Sequence, residues 1–421
     1  MATRGTFQFP SRPLPLIEIR GEDELVVNEE TALLLSKIEC PVCPVVVVGL
    51  YRTGKSTLLN MLRRELDDDT AAAEDDDDDE AGFEVGPSVE RCTRGIWVWG
   101  RPLFAYENGG ERPTKAALLL DTEGVGGLEA DAQYDARIFA LSCLVASSLV
   151  YNSLGSIDEH AISQLSFVAR LSEHVTFFSS SSSRGGGGGG GDDDANRSDE
   201  SEAETVSKLS EFMPSFTWVV RDFSLELASS DGEAITADEY LEAALRPQRG
   251  YDASALERNR LRHVIKAFFR SRACRTLVRP CVDETDLSFV DRLDDSKLRP
   301  RFLRELDEFR DHLFAPEKLQ PKTLGLGKHA APLRGPAYVE LLHKFCDSFN
   351  SGGVPAVVGA WDHVSKIESD AALEEALDEF DNVLSAALQE EGPSSSSSSS
   401  SRGSRKTTTT TTKKKKKKPT R

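Results

Sequence analysis

Short unbroken apolar runs alternate along this chain with stretches in which apolar residues return every three or four positions. Val45–Val48 is a run of the first kind and predicts a buried strand. Leu58, Leu59, Met61 and Leu62 follow at helical spacing and predict a helix from Ser56 to about Leu66. Gly95–Trp99 and Ala116–Leu120 predict further strands. A helix over Ile138–Ser147 leads to a strand at Ser148–Tyr151, then to a long helix from Asp158 to about Val175. Phe216–Val220 and Arg275–Val278 read as strands with two helices between them. Thr236-Ala237-Asp238-Glu239 is a capping box opening the first, and Ser254-Ala255-Leu256-Glu257 opens the second, through about Phe269. This alternation, from residue 40 to about 280, predicts an α/β fold built on a doubly wound, mostly parallel sheet. Beyond Leu298 the pattern is helical only, with helices expected over Arg299–Phe314, over Pro336–Phe349 and in pieces from Ala360 to Glu391.

Three segments break the pattern. Residues 67–80 are acidic with a few alanines, 179–205 run through polyserine and polyglycine into a second acidic stretch, and 393–421 are tracts of Ser, Thr and Lys. None can bury a core, so each is expected to be disordered, and together they hold the hydrophobic share to 39%. Net charge is −19. The run at 67–80 supplies ten negative charges and the residues from Arg402 onward ten positive ones, so the remaining body is itself acidic. That argues against a specific nucleic-acid footprint on the folded part. The basic tail has the charge to meet an acidic membrane or a nucleic acid, and reads equally well as a solvated repeat. Seven cysteines without an apolar leader at the N-terminus predict reduced thiols and a cytoplasmic location. Cys40-Pro41-Val42-Cys43 is a lone C-x-x-C, a weak signal for metal or redox chemistry. The most apolar helix-like run, 138–151, is short for a bilayer and better read as core.

The chemistry is carried by Gly49-Leu50-Tyr51-Arg52-Thr53-Gly54-Lys55-Ser56, a complete G-x-x-x-x-G-K-[ST] phosphate loop between the valine strand and the helix that Thr57 continues. Gly49 and Gly54 let the backbone wrap a phosphate, and the amides of the loop point inward at a helix N-terminus. Lys55 is placed to reach the β- and γ-phosphates and Ser56 to ligate Mg2+. The loop alone leaves ATP and GTP both open. Asp121-Thr122-Glu123-Gly124 then sets an acid at the end of an apolar strand, where Asp121 holds Mg2+ through water and the Gly124 amide senses the γ-phosphate. Thr93, in the loop between the two motifs, is a candidate for closing on Mg2+ and γ-phosphate. No Asn-Lys-x-Asp is present for guanine. In its place Arg221-Asp222 ends a strand, and a carboxylate there can accept from both N1–H and N2–H of the base, although such a pair is also common as a surface ion pair.

Together these residues resemble the guanylate-binding protein family of dynamin-like large GTPases. Thr93-Arg94-Gly95-Ile96-Trp97, Ile138-Phe139-Ala140-Leu141, Val150-Tyr151-Asn152-Ser153 and Arg221-Asp222-Phe223-Ser224-Leu225 extend the likeness over roughly residues 14–390. The resemblance implies a P-loop G domain over 1–315, the start of a helical domain over 316–392, and a disordered tail over 393–421. It also implies that Arg52 acts as an internal arginine finger when two G domains meet, and that Thr93 binds Mg2+. Asp222 would read guanine, Glu123 would join the network around the attacking water, and Arg279 would fall in a guanine cap used for dimer contact. GTP would be hydrolysed to GDP, and in some members on to GMP. Three departures stand out. Arg91 replaces a serine two positions before Thr93, the acidic run precedes the expected phosphate cap Gly82–Gly86, and Lys418-Pro419-Thr420-Arg421 is no prenylation motif. The alternative reading is a GTP-gated scaffold or membrane tether with slow or no hydrolysis.

Overall fold

The computed structural model describes residues 8–21, 23–68, 82–85, 94–106, 110, 112–124, 132–165, 168, 210–229, 231–250, 252–324 and 330–351, with shorter pieces between 364 and 385. In chain order the elements are β1 (Pro13–Arg20), β2 (Glu24–Val27), α1 (Glu29–Leu35), β3 (Val42–Gly49), α2 (Lys55–Asp68), β4 (Ile96–Trp99), β5 (Leu103–Ala105), β6 (Lys115–Thr122), α3 (Ala132–Val145), β7 (Ser148–Leu154) and α4 (Glu159–Gln164). They continue with β8 (Ser215–Arg221), α5 (Ala237–Ala244), α6 (Ala253–Phe268), β9 (Arg272–Leu277), α7 (Pro300–Phe314), β10 (Thr323–Leu324), β11 (Ala331–Pro332) and α8 (Gly335–Asn350). Residues 1–370 form one compact unit and 371–421 another.

Among the described residues the main sheet has nine strands in the order β2-β1-β4-β6-β3-β7-β8-β9, with β5 added on β6. Five of them, β6, β3, β7, β8 and β9, run parallel, and β4, β5, β1 and β2 extend the sheet as an antiparallel wing. The expected α/β class is therefore what the chain adopts. β3 is buried along its whole length, as a strand covered on both faces must be. Its side chains alternate between two cores. Val42, Val46 and Val48 join α3, α6 and α8 on one face, whereas Cys43, Val45 and Val47 join α2 and α7 on the other.

Several expectations need correction. α6 is not opened by Ser254: the N-cap is Asp252, whose side chain accepts from the Ala255 amide, and Ser254 Oγ instead accepts from Arg258. A carboxylate at the helix start also meets the positive end of the helix dipole, so it is at no disadvantage against the hydroxyl two residues on. The chain beyond Leu298 is not purely helical, because β10 and β11 pair as a short hairpin. That hairpin is laced to the start of β3, where Lys322 N donates to Val42 O at 2.8 Å and Val42 N to Leu333 O at 2.8 Å. The wing strands β1 and β2 and helix α1 lie ahead of the region where alternation was read. The Thr236 capping box is present with both reciprocal bonds. The long helix expected from Asp158 is described only as α4, and the rest of it lies outside the described residues, as do most of 67–80, 179–205 and the tail.

The six described cysteines are buried and unbridged. Burial pushes the Cys43 thiol up to about 12, and no cluster of three or more His, Cys, Asp or Glu side chains forms among the described residues. Cys40 and Cys43 are thus core thiols. No helix among the described residues is long and apolar enough to cross a membrane.

Candidate nucleotide site

The parallel register sets the carboxyl ends of β6, β3, β7 and β8 side by side. Val47 pairs with Asp121, Gly49 with Asn152 and Leu154 with Arg221. The loop after β3 therefore emerges between the acid of β6 and the Arg-Asp pair of β8. Gly49 passes the Asn152 carbonyl so closely that a Cβ would collide with it. Gly54 (φ +74) likewise turns against the Arg221 guanidinium. Among described residues only two non-glycines have positive φ, Arg52 (61°) and Asp222 (54°), and both belong to this site. Such conformations are costly outside glycine and persist where surrounding bonds hold them.

Those bonds are visible. Asn152 Nδ2 donates to Thr53 O at 2.8 Å and to Thr53 Oγ1 at 3.0 Å, and Thr53 Oγ1 donates to Leu50 O at 2.8 Å. Arg221 Nη1 donates to Gly54 O at 2.7 Å and to Thr53 O at 3.2 Å. Arg221, read with Asp222 as a nucleotide contact, is 9% exposed, and its guanidinium grips the loop backbone. Asn152, quoted above only as part of a resemblance, is a second prop for the same turn. No local motif announces either role, because both act across the sheet.

Lys55 is 7% exposed and donates to Leu50 O at 3.2 Å. Burial holds its ammonium below the usual range, while the Asp121 and Glu123 carboxylates act in the opposite sense. Ser56 Oγ donates to Asp121 Oδ2 at 2.5 Å. A hydroxyl and a carboxylate this close form a hard-oxygen pair of the kind Mg2+ takes alongside water and phosphate oxygens, so the donor set fits that ion. Thr57 is buried in the first turn of α2. Gly124 lies against the loop, and a Cβ there would stand 2.9 Å from Lys55 Nζ. Thr93 and Arg91 fall outside the described residues.

Arg52 is exposed, with its guanidinium carbon 5.5 Å from the centre of the Tyr51 ring. Asp222 is also exposed. Arg279 is half-buried after β9 and donates to Glu284 Oε1 at 3.2 Å. Glu123 is buried (4% exposed), and its Oε2 accepts from Tyr134 OH at 2.6 Å and from Gly95 N at 3.4 Å. Tyr134 was not singled out from sequence, since nothing local to α3 marks it. Of the expected phosphate cap, residues 82–85 are described. Phe83 is clasped by Asn60 of α2 through Phe83 N to Oδ1 (2.7 Å) and Nδ2 to Phe83 O (3.0 Å). Asn60 Nδ2 also donates to Asp291 at 2.8 Å.

Comparison with known proteins agrees with this geometry. Residues 22–323 match the family model described as guanylate-binding protein, N-terminal domain. The chain is 35% identical over 378 residues to guanylate-binding protein 4 of Homo sapiens, covering 90% of this chain and 52% of the relative. It is 34% identical to guanylate-binding protein 2 of Homo sapiens, covering 90% and 56%. Guanylate-binding protein 1 of Mus musculus is also 34% identical, over 87% of this chain and 55% of the relative. The chain thus spans little more than half the length of these relatives. A match over most of its own length, with a phosphate loop, an acidic strand end and an Arg-Asp strand end meeting at one sheet edge, places the chain in the guanylate-binding protein family.

Proposed function

We propose that this chain binds GTP together with Mg2+ and hydrolyses the γ-phosphate to yield GDP. The observation that carries the reading is the convergence of Lys55, the Ser56–Asp121 pair and the Arg221-Asp222 strand end on one glycine-bounded loop at a helix N-terminus. The loop amides and Lys55 would hold the β- and γ-phosphates. Ser56, Asp121 and Thr93 would hold the metal ion, which when bound neutralises charge developing on the phosphate oxygens. Asp222 would accept from the guanine edge. Gly124 would offer its amide to the γ-phosphate, with Glu123 beside it.

Arg52 sits exposed over Tyr51, on the rim of the loop. An arginine finger is worth roughly 10³–10⁵ in rate. We infer that contact with a second G domain, through a face that includes Arg279, turns Arg52 from Tyr51 onto the phosphates. Hydrolysis per site would then rise with protein concentration.

Chromatography of the products formed from GTP and from ATP, at low and high protein concentration, tests the reading. GDP formation from GTP with a concentration-dependent specific rate is expected, and GMP would appear only if GDP is processed in turn. Equal turnover of ATP and GTP, or no turnover of either, would overturn it.

A further inference from the structure

We propose that Tyr134 is a positioning residue for hydrolysis, holding the Glu123 carboxylate at the γ-phosphate side of the site. This rests on the reading of the site as a GTPase centre. Glu123 is the last buried acid before Gly124, and Gly124 in turn lies against the phosphate loop within reach of Lys55. Two elements away from the phosphate loop hold its carboxylate. Tyr134, in the first turn of α3, donates its hydroxyl to Oε2 at 2.6 Å, a short, charge-assisted bond. Gly95, at the entrance to β4, donates its amide to the same oxygen at 3.4 Å and accepts from the Glu123 amide at 3.1 Å. Oε2 is thus held from two directions.

The contact is enclosed, since Tyr134 is 8% exposed and Glu123 4%. At such burial hydrogen bonds are what replace the carboxylate's lost hydration. The phenol therefore aims the Glu123 carboxylate. A ring with two torsions anchored in a helix is suited to that. A tyrosine that merely filled space would need neither the oxygen nor the short distance. The electrostatic influence of Glu123 on Lys55 is a further sign that the two groups face a common volume.

Single-turnover GTP hydrolysis at saturating protein, set beside nucleotide affinity, tests the role. Tyr134→Phe should slow hydrolysis by roughly tenfold at neutral pH while leaving the affinity for a non-hydrolysable GTP analogue within about twofold. In a Glu123→Ala background the same change should cost nothing further. Tyr134→His, which keeps a ring and a donor, should recover part of the rate, and it serves as the second variant if the phenylalanine chain folds poorly. A Tyr134→Phe chain with the parental rate, or an equal loss with and without Glu123, would overturn this proposal alone. Absence of GTP hydrolysis by the unaltered chain would overturn the GTPase reading with it.

Discussion

Arg221 Nη1 donates to the carbonyl of Gly54 at 2.7 Å, so the residue beside Asp222 braces the phosphate loop. The guanidinium is buried and reaches the neighbouring Thr53 carbonyl as well. Removing it leaves the Gly54 carbonyl without this charged donor, a loss worth about 2 kcal/mol. Arg221→Ala should therefore weaken nucleotide binding by roughly thirtyfold. It should do so equally for GTP and xanthosine triphosphate, because the defect lies in the loop and not in base recognition. Arg221→Lys should fall between, since one ammonium cannot copy the guanidinium fork. Titration with fluorescent nucleotides checks this, and a loss confined to guanine would show that Arg221 reads the base directly.

Asp222 provides the contrasting case. Its φ of 54° is a conformation that Asn tolerates about as well as Asp, so Asp222→Asn tests chemistry without adding strain. GTP affinity should fall by something on the order of hundredfold, while xanthosine triphosphate is relatively favoured, because the amide donates where the carboxylate only accepts. Competition binding with both nucleotides reads the outcome. Unchanged affinities for the two would remove Asp222 from the base pocket.

For Arg52 the expectation concerns rate. Arg52 is exposed over Tyr51; on the proposed reading it would serve the transition state more than the ground state, so Arg52→Ala should leave GTP affinity within a few-fold of the parent and abolish the rise in specific activity with concentration. Measuring turnover per site from nanomolar to tens of micromolar protein decides it. A parental rate already flat over that range would remove the dimer-triggered step.

A pH effect on stability is expected far from the nucleotide. Lys322 is buried, its Nζ donates to Ala146 O at 2.8 Å just past the end of α3, and burial lowers its pKa to about 7, against an opposing effect of Cys143. The folded pKa lies below the unfolded one, so the unfolded chain holds the extra proton between pH 7 and about pH 10, and this group makes the fold gain stability as pH rises through that window. Below pH 7 both states are protonated and the cost of the buried charge is fully present. Lys322→Met should therefore stabilise the chain most at about pH 6, with the advantage shrinking toward about pH 10. Urea unfolding of both chains at the two ends measures the difference, and a gap independent of pH would mean the amine does not titrate there.

The sequence exposed the centre of this molecule more readily than its margins. Val45–Val48, the phosphate loop and the acid of β6 were legible because each is a local signal: a valine run, a glycine spacing, a carboxylate ending an apolar strand. β1 was not, since Pro13 and Pro15 argue against a strand unless it lies toward the edge of a sheet, and which strands are edges is a fact of topology. Arg221 and Asp222 were found together, but only the packed structure separates a loop brace from an exposed carboxylate. Asn152 and Tyr134 carry no spacing rule at all. Each acts on a partner brought near by the sheet, at separations of 99 and 11 residues. Thr93 and Arg91 fall outside the described residues, so their placement rests on the motif.

Helix α8 bears on how the protein should be handled at the bench. The family match stops at residue 323, a natural place to cut a gene. Yet Tyr338, Leu341, Leu342 and Phe345 beyond that point are fully buried against the sheet. Asn350 clips the far end to the Leu25 backbone through bonds of 2.8 and 2.7 Å. At the near end, Gly335 approaches the close of α1 so tightly that no side chain would fit. Trimming to the matched segment would remove these side chains from the core and wet the surface they cover, at about 1.5–3 kcal/mol per lost side chain. Val364 is buried in the same core, so the shortest expression boundary that respects the packing falls at the end of the compact unit, after Asp370.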